Sequence, residues 1–443
     1  MRPIPRSALL NRLRDESQEV YGIVHWGLNT YTDREWGFGD EDPAWLAPSR
    51  FDADQIAGAC AAGGLAGLIV VAKHHDGFCL WPTATTTHNI SRSPFRNGKG
   101  DYVREMADAC RRAGLRFGVY ISPWDRNCAF YASPRYLDLY RAQIRELLGG
   151  AYGDVFEMWF DGANGGNGYY GGARDRRTIP DDYYRFDETF RLVRDLQPSI
   201  CLFNEDDGAD FRWPGNERGI LVPDSRATVP PYDKAHYPEW GNAGRADGSV
   251  FHPAEADFPM RPGWFFHESE RGRTKGPEYL MKTYLRSVGH GGTMNIGVSP
   301  TRDGVLDDED VQALHGFGEL RRQFFEHEAT APSEPFNVVV LREDLSRGEQ
   351  VDGWELLADG APVLSGGPIG LKRIRVLDAP IAPRSCELRI TAHAGDLQGA
   401  TLRRYFVDPA LLHAIATATN DSGETETAQW MTAGVEGRQV SNA

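Results

Sequence analysis

The chain has 443 residues, 41% of them hydrophobic and 11% aromatic, which is enough for one barrel-sized domain and a smaller second domain. Its formal net charge of −15 argues against nucleic acid or an anionic membrane surface as a partner. Six cysteines without a CxxC pair argue against a zinc ribbon or a disulfide framework.

The first residues of the chain, 1–22, include basic side chains but no continuous apolar segment, and no stretch has the length and hydrophobicity of a membrane span. We therefore expect a cytoplasmic protein, or a secreted or periplasmic one if a signal peptide was removed. The sequence gives no indication of the oligomeric state.

From about residue 20 to 325, short apolar segments alternate with amphipathic helical patterns. Helices are predicted over 101–114, with Asp101 as N-cap, and over 133–150. Strand starts recur every 40 to 50 residues or so, a spacing typical of βα repeats. We predict an α/β fold over 1–328, a regular or distorted (β/α)8-like barrel of the TIM type, with 220–262 rich in loops. The predicted strands are 20–27, 65–75, 116–124, 155–162, 199–205 and 293–300.

The pattern changes after the segment ATAPSEP at 329–335. Short alternating strands separated by Gly, Asp and Pro predict a C-terminal antiparallel β-sandwich over 336–412. The remainder, 413–443, is polar and is expected to be a flexible tail.

Polar side chains follow several of the predicted barrel strands, where such barrels bind ligands. A metal-dependent hydrolase would use His25, His74, His75 and Asp161 as ligands. Against this hypothesis, the barrel-type His-x-His pair is absent, and neighbouring histidines on an extended strand point to opposite faces unless the backbone bends. Glycoside hydrolysis by two carboxylates is the alternative, with His and Trp side chains binding the sugar. The 11 Trp residues favour this second chemistry.

Eight motifs in this order resemble the α-L-fucosidases of glycoside hydrolase family 29: HWG, EWG, AKHHDGFCLWP, YISPWDRN, YxxQIREL, MWFDGANGG, RWPGNERG and RPGWFFHE. The similarity covers most of residues 20–325, and the C-terminal β-domain also suits the family. The resemblance implies a retaining, exo-acting α-L-fucosidase. The pairing of DGANGG with GNERG is similar to the branch that prefers α-1,3/1,4-linked fucose on Lewis-type glycans.

The resemblance implies that Asp161 is the nucleophile and that Glu217 is the acid/base. Glu205 and Glu268 are the rival candidates for the acid/base. The glycines after Asp161 would let the sugar approach closely. No metal and no cofactor are expected, and the expected partner is a fucosylated oligosaccharide or glycoconjugate. A non-catalytic fucose-binding protein remains a third hypothesis.

The same resemblance implies a set of substrate-binding side chains. His25, His74, His75 and Glu35 match residues that bind fucose hydroxyls, Trp159, Tyr140 and Arg212 match residues of the pocket wall, Trp264 would pack near the C5 methyl group, and Trp124 is a further pocket residue. Tyr140 lies on the apolar face of its predicted helix, so core packing is an equal alternative for this side chain.

Overall fold

Seven parallel strands form the central sheet of the protein, whose computed structural model describes residues 2–419. The order in the sheet is β10-β11-β1-β2-β3-β4-β7. Each of the six predicted barrel strands contains one of these strands, which confirms the predicted α/β architecture. In chain order the first eleven strands are β1 (Val20–Val24), β2 (Gly67–Lys73), β3 (Arg116–Ile121), β4 (Glu157–Trp159), β5 (Gly166–Gly168), β6 (Asp175–Arg177), β7 (Cys201–Phe203), β8 (Thr228–Val229), β9 (Val250–Phe251), β10 (Glu255–Pro259) and β11 (Thr293–Val298).

The region 220–262, predicted to be rich in loops, contributes the barrel strand β10 as well as β8 and β9. The sheet closes between β7 and β10 through Phe211 and Arg212. Phe211 forms a parallel bridge with Phe203, and Arg212 forms one with Ala254. The Arg212 amide donates to Pro253 O at 3.0 Å, so these two residues take the place of an eighth strand.

Most of the helices pack around the outside of this barrel, whereas the first, residues 7–14, contributes Leu9 and Leu13 to the core inside it. Asp101 caps α4 as predicted, by accepting a hydrogen bond from the Arg104 amide, and Pro134 occupies the first turn of α5. Within the described residues, no helix is long and apolar enough to cross a membrane. The helices are α1 (Ser7–Arg14), α2 (Leu28–Thr32), α3 (Ala53–Ala62), α4 (Tyr102–Arg112), α5 (Pro134–Leu148), α6 (Phe186–Leu196), α7 (Tyr237–Trp240), α8 (Pro277–Ser287), α9 (Asp308–Phe324) and α10 (Pro409–Thr417).

The barrel strands are buried on both faces. In β1, Val20 and Val24 belong to the core between sheet and helices, whereas Tyr21 and Ile23 belong to the core inside the barrel. This alternation explains the continuous apolar segments in the sequence, because a parallel strand covered on both sides has no polar face.

The C-terminal part is an antiparallel β-sandwich, as predicted. Its two three-stranded sheets have the orders β15-β12-β17 and β14-β13-β16, and Trp354 is buried in the core between them. The predicted tail begins within α10, and residues 420–443 lie outside the described part of the chain. The strands are β12 (Phe336–Glu343), β13 (Val351–Ala358), β14 (Ala361–Gly366), β15 (Arg373–Ile381), β16 (Cys386–His393) and β17 (Ala400–Tyr405).

Candidate active site

Most of the predicted site residues lie together at the C-terminal ends of the barrel strands. His25 follows β1, His74 and His75 follow β2, Asp161 follows β4, and Glu205 follows β7. Parallel strands place their C-terminal ends at one rim of the barrel, so residues that are far apart in sequence meet there.

Asp161 is held in place by two hydrogen bonds. The Tyr120 hydroxyl donates to Oδ2 at 2.8 Å, and the Ala163 amide donates to Oδ1 at 2.7 Å. The Nε2 atom of His75 lies 3.9 Å from Oδ2, and the Asp161 side chain is 23% exposed. The carboxylate is therefore oriented by its neighbours and still reachable from the pocket.

His74 and His75 both face the site, although they are neighbours in sequence. The register between β2 and β3 shifts after Val71, and the chain turns so that the Gly77 amide donates to His74 O at 3.0 Å. The two rings are consequently only 4.1 Å apart between centroids. The opposite-face arrangement expected for an extended strand does not apply, because the backbone bends at the strand end.

The three histidines are uncharged near neutral pH. Burial lowers the pKa of His25 to about 3 and that of His75 to about 4, in the latter case against the raising effect of Asp161. Burial also holds the pKa of His74 well below its usual value. Asn29 Nδ2 lies 3.2 Å from His74 Nδ1 and also donates to a backbone carbonyl. Because the Asn29 amide nitrogen is a donor, His74 Nδ1 accepts this hydrogen bond, and the ring proton of neutral His74 is on Nε2.

A row of flat rings forms the floor of the site. Trp159 stacks on Phe203 at 3.9 Å with an interplanar angle of 5°, and on Tyr120 at 5.3 Å with an angle of 22°. His74 continues the row on the other side of Tyr120, at 5.7 Å and 13°. Trp159 thus lies beneath the rim, two residues before Asp161 on the same strand.

Glu35 anchors the segment that carries Trp264. Its carboxylate accepts hydrogen bonds from the amides of Trp264 at 2.9 Å and Phe265 at 3.2 Å, and lies 2.7 Å from His267 Nε2. Although burial lowers it, the pKa of His267 is raised to about 9 by Glu35. The Trp264 ring lies 5.0 Å from His25 and covers Gly297, where a Cβ would approach that ring to 2.6 Å. Glu35 and Trp264, both predicted site residues, therefore lie with the other predicted site residues at this end of the barrel.

Trp124 and Trp36 form an aromatic edge beside the histidines. The Trp124 ring lies 5.0 Å from His75, and its Nε1 donates to the Tyr170 hydroxyl at 3.1 Å. Trp36 is 38% exposed and makes edge contacts with His75 at 5.4 Å and with Trp124 at 5.5 Å. Sequence reasoning had placed Trp124 here but not Trp36.

Two of the three candidate acid/base carboxyls lie near Asp161. Burial, together with the charges of Asp161 and Glu35, raises the pKa of Glu217 to about 7, although a Trp264 hydrogen bond lowers it. Burial and the Asp161 charge likewise raise the pKa of Glu205 to about 7. The carboxylate of Glu205 packs against Gly162, where an added Cβ would lie 2.8 Å from Oε1. Glu268, in contrast, is an exposed side chain paired with Arg271.

Tyr140 and Arg212 are both buried side chains, and they differ in their relation to this group. Tyr140 is 1% exposed, and its hydroxyl donates to Ile121 O at 3.1 Å on the helix side of β3. Arg212 is completely buried, and its guanidinium donates to backbone carbonyls of Gly241, His252 and Arg226. These contacts anchor Arg212 to backbone carbonyls of three loop residues. Tyr140 packs in the core, but it lies near enough to Asp161 for that charge, together with burial, to hold its pKa well above the usual value.

Sequence reasoning also missed Tyr120 and Asp257. Tyr120 orients Asp161, and strand alternation could have found it, because it lies two residues before Ser122, whose hydroxyl is 2.7 Å from His75 Nδ1. Asp257 is buried in β10, and burial with the charge of Glu217 raises its pKa well above the usual range. No group of three or more His, Cys, Asp or Glu side chains among residues 2–419 is arranged to hold a metal ion.

The sequence profile described as Alpha-L-fucosidase matches residues 10–323. The chain belongs to the α-L-fucosidase family. It is 40% identical to "Putative alpha-L-fucosidase 1" of Oryza sativa subsp. japonica over 73% of this chain and 60% of that protein. It is 35% identical to "Alpha-L-fucosidase 1" of Arabidopsis thaliana over 73% of this chain and 61% of that protein. The chain thus spans about 60% of the length of these two plant proteins.

Solved structures show the same fold. A glycoside hydrolase 29 family member from an unknown rumen bacterium superposes with a TM-score of 0.84 at 34% identity, covering 92% of this chain and 78% of that chain. A putative α-L-fucosidase from Bacteroides ovatus gives a TM-score of 0.79 at 31% identity, covering 92% and 74%. These comparisons place the chain in glycoside hydrolase family 29 and confirm the barrel followed by a β-domain.

Proposed function

We propose that this member of the α-L-fucosidase family is a retaining exo-acting α-L-fucosidase that releases terminal α-L-fucose. One observation carries the proposal: an oriented carboxylate, Asp161, lies near a half-buried carboxyl, Glu217, whose pKa is raised to about 7 by burial and, to a smaller extent, by the charge of Asp161. One group is placed to attack while the other can keep a proton near neutral pH, as double displacement requires.

In the first step the Asp161 carboxylate attacks the anomeric carbon of fucose, and the bond to the leaving oxygen breaks. Glu217 donates its proton to that oxygen, so the leaving group departs as an alcohol and fucose is esterified to Asp161. In the second step the Glu217 carboxylate takes a proton from water. The water oxygen attacks the same carbon, which frees fucose and regenerates the Asp161 carboxylate.

The surrounding side chains suit a neutral, partly apolar sugar. Uncharged imidazoles can donate from one ring nitrogen and accept at the other, so His25, His74 and His75 fit hydroxyl groups. Trp264 offers an apolar face for the C5 methyl group. The α-1,3/1,4 preference is part of the proposal, and its support is the similarity of DGANGG and GNERG to that branch.

Fucose release from an aryl α-L-fucoside and from Lewis-type trisaccharides tests the activity directly. Replacing Asp161 by Ala should lower kcat by roughly 10⁴-fold, because the nucleophile is lost. Asp154→Ala is the matched control, since Asp154 is an exposed carboxylate just before the opposite end of β4. Undiminished release by the Asp161 variant would reject the mechanism.

The linkage is tested on a panel of fucosylated glycans. Lewis trisaccharides should be hydrolysed much faster than α-1,2- and α-1,6-fucosylated glycans of similar size. Equal rates on all four linkages would contradict the α-1,3/1,4 assignment and leave the general fucosidase activity in place.

A further inference from the structure

Three arginines converge on one phenylalanine ring beside the candidate active site. The guanidinium carbons of Arg174, Arg34 and Arg126 lie 3.7, 4.7 and 4.8 Å from the centroid of Phe38. Arg34 and Arg174 are exposed, whereas Arg126 is 2% exposed. Such a concentration of positive charge is unexpected in a protein with a formal net charge of −15.

Arg34, Arg126 and Arg174 have no carboxylate partner within 4 Å among residues 2–419. Arg126 donates to Gly37 O at 2.7 Å, but its buried Nε has no hydrogen-bond partner within the described chain. Glu41 lies near enough to raise the pKa of Arg126, but its carboxylate accepts from the amides of Phe38 and Gly39. Burial nevertheless lowers the pKa of Arg126 to about 10, and the charge of Arg174 acts in the same direction. Buried Arg126 therefore lies near the carboxyls of Glu41 and Asp76, whereas the exposed Arg34 and Arg174 have no ion-pair partner among the described residues.

The cluster is built on three segments that are hydrogen bonded to one another. In the β5–β6 hairpin, the amides of Tyr169 and Tyr170 donate to Phe38 O at 3.0 Å and to Arg126 O at 2.9 Å. The side chain of Asn127 donates to Gly39 O at 2.8 Å. Backbone pairing of this kind fixes the positions from which Arg34 and Arg174 project.

The cluster is continuous with the sugar pocket. The Arg126 guanidinium lies 5.0 Å from the Trp124 ring, and Trp124 lies 5.0 Å from His75. The exposed Trp36 touches both rings, two residues after Arg34 in sequence. A group bound at Phe38 would therefore belong to the part of the glycan next to the fucose.

We propose that Arg34 and Arg174, backed by the buried Arg126, form a subsite for an oxyanion carried by the fucosylated glycan. The chemistry is that of a carboxylate or a sulfate ester, both of which accept paired hydrogen bonds from guanidinium groups. The inference rests on the proposed fucosidase function, because it assigns acidic fucosylated glycans as a substrate class. The test distinguishes a carboxylate from a sulfate ester by using one glycan that carries each group.

Binding is measured by calorimetry in an Asp161→Asn background, so that no substrate is consumed. The probes are a neutral Lewis-type trisaccharide, its sialylated form and its sulfated form. At low ionic strength we expect an acidic form to bind about three- to tenfold more tightly than the neutral one, a preference that weakens as salt rises. The double variant Arg34→Gln/Arg174→Gln distinguishes the two anions. If it loses the preference for the sialylated glycan alone, the bound group is a carboxylate, and if it loses the preference for the sulfated glycan alone, the bound group is a sulfate.

Arg176→Gln is the matched control for Arg174→Gln, because Arg176 is an exposed arginine of the same hairpin that does not contact Phe38. Arg174→Gln should reduce the preference and Arg176→Gln should not. An equal loss in both variants, or no preference for either acidic glycan, would overturn the subsite. Failure of the fucosidase proposal has a different signature, namely no fucose release from any glycan by the unmodified protein.

Discussion

The two ends of the barrel interior both bury charged side chains, but they balance the charge differently. At the N-terminal end, Arg12 of α1 enters the barrel and pairs with Glu157, and its guanidinium lies 4.6 Å from the Tyr21 and Phe211 rings. At the C-terminal end, Glu205 and Glu217 have no basic partner within 4 Å among the described residues.

The N-terminal end of the barrel, called the lower end from here on, has one cation for two buried carboxyls, and the C-terminal end is called the upper end. Burial and the nearby charge of Glu255 raise the pKa of Glu157 well above its usual value, against the lowering effect of Arg12, which is the cation paired with Glu157. Glu255 also accepts hydrogen bonds from Trp159 at 2.9 Å and Asn295 at 2.8 Å. The paired charges hold the structure together, while the unpaired carboxyls at the upper end remain able to exchange protons.

The largest effect that tests this contrast is expected at Glu217. Glu217→Ala should lower kcat/KM on Lewis-type trisaccharides by about 10²- to 10⁴-fold, because the leaving oxygen loses its proton donor. The loss should be much smaller for an aryl fucoside whose phenolate leaves without protonation. Added azide should restore turnover and give a fucosyl azide of retained configuration.

Glu205→Ala is the matched variant for this experiment, because the pKa of Glu205 is also raised to about 7 beside Asp161. It should keep the dependence on leaving group seen in the unmodified protein. If azide rescues Glu205→Ala and not Glu217→Ala, the acid/base role belongs to Glu205.

The lower end is tested through stability. Arg12→Met should reduce the free energy of unfolding by about 3–5 kcal/mol, because it leaves the buried Glu157–Glu255 pair without a cation. Arg14→Met is the control on the same helix, since the Arg14 side chain is 55% exposed. Urea unfolding curves measure both variants, and a cost below about 1 kcal/mol at Arg12 would mean that the lower end does not need its cation.

A smaller effect is expected at Tyr120, which links the aromatic floor to Asp161. Tyr120→Phe keeps the ring stack but removes the hydrogen bond to the carboxylate, and should lower kcat by about 10- to 100-fold. Tyr140→Phe is the control, because that hydroxyl donates to Ile121 O. An equal decrease of kcat in Tyr140→Phe would show that the Tyr140 hydroxyl also contributes to the reaction, as expected for a residue of the pocket wall.

These assignments also indicate how far the sequence alone could lead. The apolar segments, the Asp101 cap and the strand-end position of Asp161 depend on local pattern, and each is found where it was predicted. The arrangement of His74 and His75 depends on a register shift in β2, which no local pattern encodes.

Arg212 illustrates the other limit. Its motif predicted a pocket wall, but its partners Gly241, His252 and Arg226 come from a region that looked like loop and contains β8, β9 and β10. The contacts of a long side chain depend on which distant segments fold against it, and composition does not specify them. The choice between Glu205 and Glu217 has the same origin, since both feel the charge of Asp161 only through the fold.

The smallest predicted effect concerns the stability cost of the unpaired carboxyl. The folded-state pKa of Glu217, about 7, lies above its unfolded value, so the folded protein binds the proton more tightly. Stability is therefore greatest below the unfolded pKa and decreases as pH rises towards 7. At pH 8, Glu217→Gln should raise the free energy of unfolding by about 1–2 kcal/mol, a value reduced for partial exposure.

The gain should disappear near pH 4, where Glu217 is already protonated in the folded protein and resembles Gln. Urea unfolding at the two pH values measures the difference, and Glu268→Gln is the control at an exposed, paired carboxylate. A variant that is no more stable than the unmodified protein at pH 8 would show that the charge of Glu217 is balanced after all. The upper and lower ends would then follow the same rule, and the raised pKa would need another explanation.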